Sequence, residues 1–225
     1  MNRRSLLLGA SALGLVVFAG GAVLVSRRNA ADRAAAQAAA DVDAEDTSDT
    51  DATLVRANSP VLGPADAPVT LVEFFDPSCE ACRYFHPILK RLRATFQTEL
   101  RIVMRYTMFH QGSDEAVRIL ETARIQDLFE PVLNALLERQ PEWARDGAPN
   151  LDLAWQIAGE AGLDLDTAMV DRALPGIVAI INQDNADVQT MGVNATPTFF
   201  INGRRLVDAS EEVLYQAVRT ELGQG

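Results

Sequence analysis

The segment FFDPSCEACRYFHP, residues 74–87, contains both cysteines of the 225-residue chain. Cys79 and Cys82 are separated only by Glu80 and Ala81. A disulfide between them would close so short a loop that, in the chain-entropy model, it would stabilise the fold by only about 2 kcal/mol. The spacing therefore favours a chemical role for the pair, and a purely structural disulfide is the weaker alternative.

The residues around this segment predict a strand followed by a helix. Residues 69–75 form a short, mostly apolar run that is typical of a buried strand. Residues 80–97 have helical periodicity, with one apolar face made of Ala81, Tyr84, Phe85, Ile88, Leu89, Leu92 and Phe96. Cys79 then lies at a helix start, where backbone N–H groups and the helix dipole favour the thiolate. Cys82 lies one turn further, close enough to resolve a mixed disulfide.

The remaining pattern predicts a mixed sheet. The elements that follow are a second strand at 101–106, helices almost throughout 113–190, a strand at 198–201, a hairpin turn at Asn202-Gly203, a return strand at 204–207 and a last helix capped by Ser210. A crossover connection makes parallel strands and a hairpin makes antiparallel ones. The order of elements thus indicates an α/β fold with helices on both faces of the sheet.

A zinc site is a second, weaker reading of the cysteines. The only histidines, His86 and His110, could complete a four-ligand set with Cys79 and Cys82. The spacing from Cys82 to His86 runs along one helix, however, and oxidation outside the cytoplasm would destroy the ligands. We therefore expect no metal, and we expect both histidines to be structural or solvated.

Two signatures in this order resemble the thioredoxin superfamily. Residues 75–82, followed by Pro87, resemble its active-site segment, and VNATPTFFING, residues 193–203, resembles its cis-proline loop and hairpin. The helical block between them resembles the DsbA-like branch of that superfamily. The resemblance covers roughly residues 60–222. It implies a thioredoxin-like domain at 58–225 with a helical insertion at about 113–190.

The resemblance also implies roles for individual residues. Cys79 would be the exposed nucleophile of a thiol–disulfide oxidoreductase and Cys82 the buried resolving thiol. Thr196 and Pro197 would form a cis-peptide loop where the substrate backbone docks. Glu73 is the one charged residue in the strand at 69–75. In the family an acid here lies beneath the second cysteine and assists its proton transfer, which burial favours by raising its pKa. A Glu at a strand end facing solvent is the alternative.

One departure from the family pattern concerns redox potential. Strongly oxidising members carry Pro-His between the cysteines, whereas this chain carries Glu80 and Ala81. A negative charge beside the thiolate should raise the pKa of Cys79, and a less stabilised thiolate makes a less oxidising couple. We therefore expect a milder oxidant than the strongest members, and the direction of electron flow stays open.

The N-terminus differs in composition from the rest. Residues 1–28 hold an uncharged, mostly apolar run between two pairs of arginines, long enough to cross a bilayer as a helix. Small-residue cleavage sites lie more than ten residues beyond that run. An uncleaved anchor is therefore favoured over a cleaved signal peptide. Residues 29–57, Ala-rich and then acidic, predict a linker. Disulfide chemistry places the domain in the periplasm or elsewhere on the extracytoplasmic face.

Charge and family together define the expected partners. A net charge of −11, with no basic patch, argues against nucleic-acid binding. The resemblance implies no bound cofactor, exported protein substrates with cysteines, and a membrane redox partner, either a quinone-linked oxidant or a membrane reductant. Two other classes stay open: a non-catalytic binding or chaperone module with a static disulfide, and a small-molecule transferase like the kappa glutathione transferases. The Cys-x-x-Cys pair and the export segment argue against the transferase.

Overall fold

The computed structural model of the chain describes residues 52–145 and 147–224. The predicted hydrophobic helix, residues 1–28, and the predicted linker up to residue 51 lie outside the described residues. Within the described part of the chain, no helix combines the length and the apolar character needed to cross a membrane.

The described strands form one mixed sheet. They are β1 (Val61–Leu62), β2 (Val69–Phe75), β3 (Leu100–Tyr106), β4 (Thr198–Ile201) and β5 (Arg204–Arg205), in the order β1-β3-β2-β4-β5. β2 is parallel to β3 and antiparallel to β4, and both outer pairs are antiparallel. The predicted mixed sheet is confirmed. The sequence did not predict β1, and β5 is shorter than the predicted return strand.

Helices flank this sheet and fill the connection between β3 and β4. Downstream of β2 they are α1 (Glu80–Thr95), α2 (Ser113–Ile125), α3 (Phe129–Glu138), α4 (Gln140–Trp143), α5 (Leu151–Glu160), α6 (Leu165–Asp171), α7 (Pro175–Thr190) and α8 (Glu211–Glu221). Ser210 caps α8 through its hydroxyl, which accepts a hydrogen bond from Val213 N at 3.2 Å. The helices α2 to α7 occupy the stretch 113–190.

The central strand β2 is buried on both faces, which explains its nearly continuous apolar sequence. Side chains alternate between the faces of a strand. Leu71 and Phe75 belong to the larger core cluster, which also contains both cysteines, whereas Val72 and Phe74 belong to a smaller cluster on the other face. By this alternation Glu73 shares a face with Leu71 and Phe75, on the side of the cysteines.

A buried arginine ties the start of the described chain to the sheet. Arg105 of β3 is fully buried and donates to Asp184 Oδ1 of α7, at 3.1 Å from Nε and 2.8 Å from Nη2. Its Nη1 donates to the carbonyl oxygens of Thr53 and Leu54, the latter at 2.8 Å. Leu54 is itself buried in the smaller core cluster. The packed part of the domain therefore begins before residue 58, where the sequence placed its start.

Candidate active site

The two cysteines lie at the junction of β2 and α1. Cys79 is the N-cap residue of α1, and its backbone N–H donates to Asp76 O at 3.0 Å in the turn that connects the two elements. Both cysteines are free thiols. Cys79 is 7% exposed and Cys82 is 1% exposed. The nucleophile that the resemblance implied to be exposed is therefore buried, because Cys79 packs in the larger core cluster, although it is the more accessible of the two thiols.

The surroundings of Cys79 favour its thiolate. The pKa of Cys79 is lowered from 9.0 to about 5, first because the Cys82 side chain hydrogen-bonds to it. Burial opposes this shift, and hydrogen bonds from the Thr196 side chain and from the backbone of Cys82 and Ala81 add to it. Such donors at a helix N-terminus stabilise the charged form. The negative charge of the adjacent Glu80 does not prevent the net decrease.

Cys82 has the opposite environment. Burial, the hydrogen bond to Cys79 and the charge of Glu73 all raise the pKa of Cys82 well above its ordinary value, whereas the backbone N–H of Asp76 lowers it. That N–H donates to Cys82 Sγ at 3.5 Å. The pair therefore consists of a thiolate and a protonated thiol that can exchange roles only when Cys82 loses its proton.

The loop before β4 completes this site. The Thr196–Pro197 peptide bond is cis. Cys79 Sγ lies 3.5 Å from Thr196 O, across 117 residues of sequence. The structure thus brings together the two signatures that the sequence predicted to meet.

Glu73 is buried, as the sequence predicted. It is 2% exposed, and β2 pairs it with Met104 of β3 and with Phe199 of β4. Burial first, and then the charge of Cys79, raise the pKa of Glu73 from 4.5 to about 8. A carboxyl group that gains and loses a proton near neutral pH beside the two thiols is suited to proton transfer.

We expect Glu73→Gln to change how stability depends on pH. The folded-state pKa of Glu73 lies above the ordinary value, so its stabilising effect is full below about pH 4.5 and is lost as the pH rises to about 8. Glu73→Gln has no carboxyl group at this position, so its free energy of unfolding should not show this decrease. The difference in free energy of unfolding between the variant and the wild type should therefore grow in favour of the variant by on the order of 4 kcal/mol over that pH range.

Urea titrations of both reduced full-length proteins at several pH values measure this difference. Glu138→Gln is the control, because Glu138 is exposed on α3 and the substitution makes the same chemical change. Its stability should follow the wild-type curve. Parallel curves for Glu73→Gln and the wild type would contradict the buried, high-pKa carboxyl.

The sequence reasoning missed Asp76, which organises the segment before the cysteines. Asp76 is fully buried and its carboxylate accepts hydrogen bonds from the backbone N–H groups of Ser78, Phe109 and His110 at 2.8, 2.8 and 3.0 Å. The Ser113 hydroxyl donates to the same carboxylate. This arrangement joins the loop after β2 to the loop after β3. The only sequence signal for this role of Asp76 was its position as a charged residue directly after an apolar strand.

The histidines have partners of their own. His86 Nε2 lies 2.7 Å from Asn134 Oδ1, and burial lowers the pKa of His86. His110 Nδ1 lies 2.9 Å from Asp76 Oδ2. Among the residues that the structure describes, no group of three or more His, Cys, Asp and Glu side chains could hold a metal ion.

Comparison with proteins of known sequence identifies a family and a set of relatives. A family model described as thioredoxin matches residues 56–219. The Na⁺/H⁺ antiporter NhaA of Herminiimonas arsenicoxydans is 35% identical over 146 residues, which are 65% of this chain and 22% of that protein. NhaA 1 of Salinispora arenicola is 36% identical over 152 residues, or 64% of this chain and 22% of that protein. The chain therefore spans about a fifth of the length of these relatives.

Solved structures share the fold. A thioredoxin-like oxidoreductase from Silicibacter pomeroyi DSS-3 is 30% identical with a TM-score of 0.67, covering 77% of this chain and 98% of that one. BdbD from Bacillus subtilis is 26% identical with a TM-score of 0.66, covering 73% and 93%. α-DsbA1 from Wolbachia pipientis, 18% identical over 78% of this chain and 98% of that one with a TM-score of 0.66, supports the fold alone. The chain belongs to the thioredoxin family, and its structural neighbours are DsbA-like thiol–disulfide oxidoreductases.

Proposed function

We propose that this chain is an extracytoplasmic thiol–disulfide oxidoreductase that exchanges disulfides with exported proteins through Cys79 and Cys82. One observation carries the proposal. A cysteine with a pKa of about 5 lies at a helix N-terminus, next to a protonated second cysteine and to the cis Thr196–Pro197 peptide. A static disulfide in a binding module would not need a stabilised thiolate.

The chemistry is a pair of thiol–disulfide exchanges. In the reducing direction, the Cys79 thiolate attacks a substrate disulfide, forms a mixed disulfide and releases one substrate thiolate. Cys82 then loses its proton and attacks Cys79 Sγ, which closes the Cys79–Cys82 disulfide and releases the second substrate thiol. Two electrons pass to the substrate. The oxidising direction is the same sequence in reverse, beginning with a substrate thiolate that attacks Cys79.

Glu73 is the proposed proton acceptor and donor for Cys82. The charge of Glu73 contributes to the raised pKa of Cys82, so the two groups lie within electrostatic reach. Its own pKa of about 8 lets it accept the Cys82 proton and return it near neutral pH. Thr196 and Pro197 are the proposed docking site for the substrate backbone, because Thr196 O lies beside Cys79 Sγ.

The proposed location rests on the sequence outside the described residues, and the proposed partners rest on the resemblance to the DsbA-like branch. We infer that residues 1–28 tether the domain to the membrane and that residues 29–51 are the spacer. A dithiol/disulfide pair that turns over needs no bound cofactor but needs a redox partner to reset it. The proposed partner is a membrane protein, either a quinone-linked oxidant or a thiol reductant.

The redox potential of the Cys79–Cys82 pair is the test of this function. The pKa of Cys79, about 5, lies between the values of about 3.5 for a strong oxidant and about 7 for thioredoxin. We expect the potential to lie between about −120 and −270 mV, as measured by equilibrating the purified full chain with glutathione buffers. A pair that stays locked as dithiol or disulfide across all buffers would overturn the enzyme and support the binding module.

A further inference from the structure

A buried glutamine from the helical block contacts the segment that carries Cys79. Gln140 is the first residue of α4 and is 1% exposed. Its Nε2 donates to Pro77 O at 2.8 Å and to Cys79 O at 3.0 Å. Its Oε1 accepts a hydrogen bond from Arg83 Nε at 3.2 Å. We call residues 74–87 the redox segment. One side chain thus contacts three residues of this segment, from a position 61 residues after Cys79.

We propose that Gln140 is a positioning residue that holds Cys79 in the N-cap geometry required for disulfide exchange. The inference rests on the proposed function for its consequence in catalysis. The contacts themselves and their effect on the Cys79 thiol do not depend on that function.

The hydrogen bonds from Gln140 to two backbone carbonyl groups hold the backbone around the nucleophile in place. Cys79 O also accepts the first backbone hydrogen bond of α1, from Arg83 N at 3.1 Å. Gln140 is therefore a second donor to the carbonyl that begins the helix. The N–H groups of Ala81 and Cys82 stabilise the thiolate only while Cys79 stays at this position. Loss of the amide would leave Pro77 O, on a buried residue, without the donor that Gln140 provides.

The charge of Arg83 strengthens this contact. A guanidinium that donates to the amide oxygen polarises the amide, so its N–H groups become better donors. The positive end of the polarised amide then points toward the carbonyl of Cys79.

The helix that carries Gln140 has an anchor of its own. Trp143 of α4 is fully buried and its Nε1 donates to Leu136 O of α3 at 2.9 Å. A substitution of Gln140 therefore removes the contacts to the redox segment without releasing α4 from the core. This separation makes the role of Gln140 testable.

The first experiment measures the thiolate absorbance of reduced full-length Gln140→Met as a function of pH. Methionine has a similar length and no donor. We expect the pKa of Cys79 to rise by about one unit, which is a tenfold loss of thiolate below that pKa. The equilibrium with glutathione should shift about tenfold in the same sense, toward a less oxidising pair. Arg83→Met should give a smaller shift in the same direction.

Gln126→Met is the matched control. Gln126 also exchanges two hydrogen bonds with a neighbouring backbone, donating to Asp164 O at 3.1 Å and accepting from Asp164 N at 2.9 Å, but it lies at the end of α2. Gln126→Met should lower the stability of the protein and leave the pKa of Cys79 unchanged. If Gln140→Met also lowers stability without changing the pKa of Cys79, Gln140 is only structural and the proposal is wrong.

A second variant guards against misfolding of the first. Gln140→Glu keeps the length and can pair with Arg83, but it places oxygen atoms against Pro77 O and Cys79 O. It should raise the pKa of Cys79 by more than Gln140→Met does, and an unchanged pKa would also overturn the proposal. If the wild type shows no glutathione equilibrium while the pKa still shifts, then the proposed function fails and the role of Gln140 stands.

Discussion

Full-length Cys79→Ser is expected to lose disulfide exchange completely. The thiolate is the attacking species, and a serine hydroxyl is not ionised at neutral pH. Cys82 cannot replace Cys79, because it is 1% exposed and its pKa is raised by burial. Turnover of a disulfide-containing peptide, followed by the appearance of its free thiols, measures the loss.

The matched variant Cys82→Ser should fail at a later step. It retains the Cys79 nucleophile, so it should form a mixed disulfide with the peptide and then accumulate it, visible as an added mass on the intact protein. Turnover by Cys79→Ser, or no adduct on Cys82→Ser, would contradict the assigned roles. If the wild type bound a partner protein but showed no turnover, the result would favour the non-catalytic binding module.

Asp76→Ala is expected to destabilise the fold strongly. The substitution leaves three backbone N–H groups and the Ser113 hydroxyl without the buried carboxylate that accepts their hydrogen bonds. Each such loss costs about 1–3 kcal/mol when the group stays buried, and part of this cost is relieved where water enters. We expect the free energy of unfolding to fall by about 4 kcal/mol, measured by urea titration of the full chain.

Two variants separate the carboxylate from its neighbours. Ser113→Ala removes one donor and should cost about 1 kcal/mol. Asp76→Asn keeps the volume of the side chain and one acceptor oxygen. Its decrease in the free energy of unfolding should therefore lie between those of Ser113→Ala and Asp76→Ala. A cost for Asp76→Ala no greater than that for Ser113→Ala would mean that the other donors find new partners, and the loop would not depend on Asp76.

The sequence predicted the parts of the site that depend on local patterns. The run Val69–Phe75 is apolar because β2 is covered on both faces, and the same pattern made Glu73 conspicuous as a buried acid. The position of the cysteines at the start of α1 followed from the periodicity after Cys79. The strand β1 escaped prediction because two residues show no periodicity.

The residues that the sequence did not reveal owe their roles to distant contacts. Asp76 acquires its function from loop residues more than thirty positions later, and Gln140 acquires its role from the segment around Cys79, 61 residues earlier. Arg105 lies in the strand predicted at residues 101–106, yet it is fully buried because it pairs with Asp184, 79 residues later in the sequence. No spacing rule relates such positions before the fold is known.

The distance in sequence between the two halves of the site has a consequence during synthesis. A ribosome that has just made Cys79 must add 117 residues before Thr196 exists. Until then the newly made thiol lacks the Thr196 contacts, and its pKa stays closer to that of an ordinary cysteine. A growing chain therefore lacks part of the thiolate stabilisation of the finished protein, and gains it only when the last third of the domain has folded onto the first.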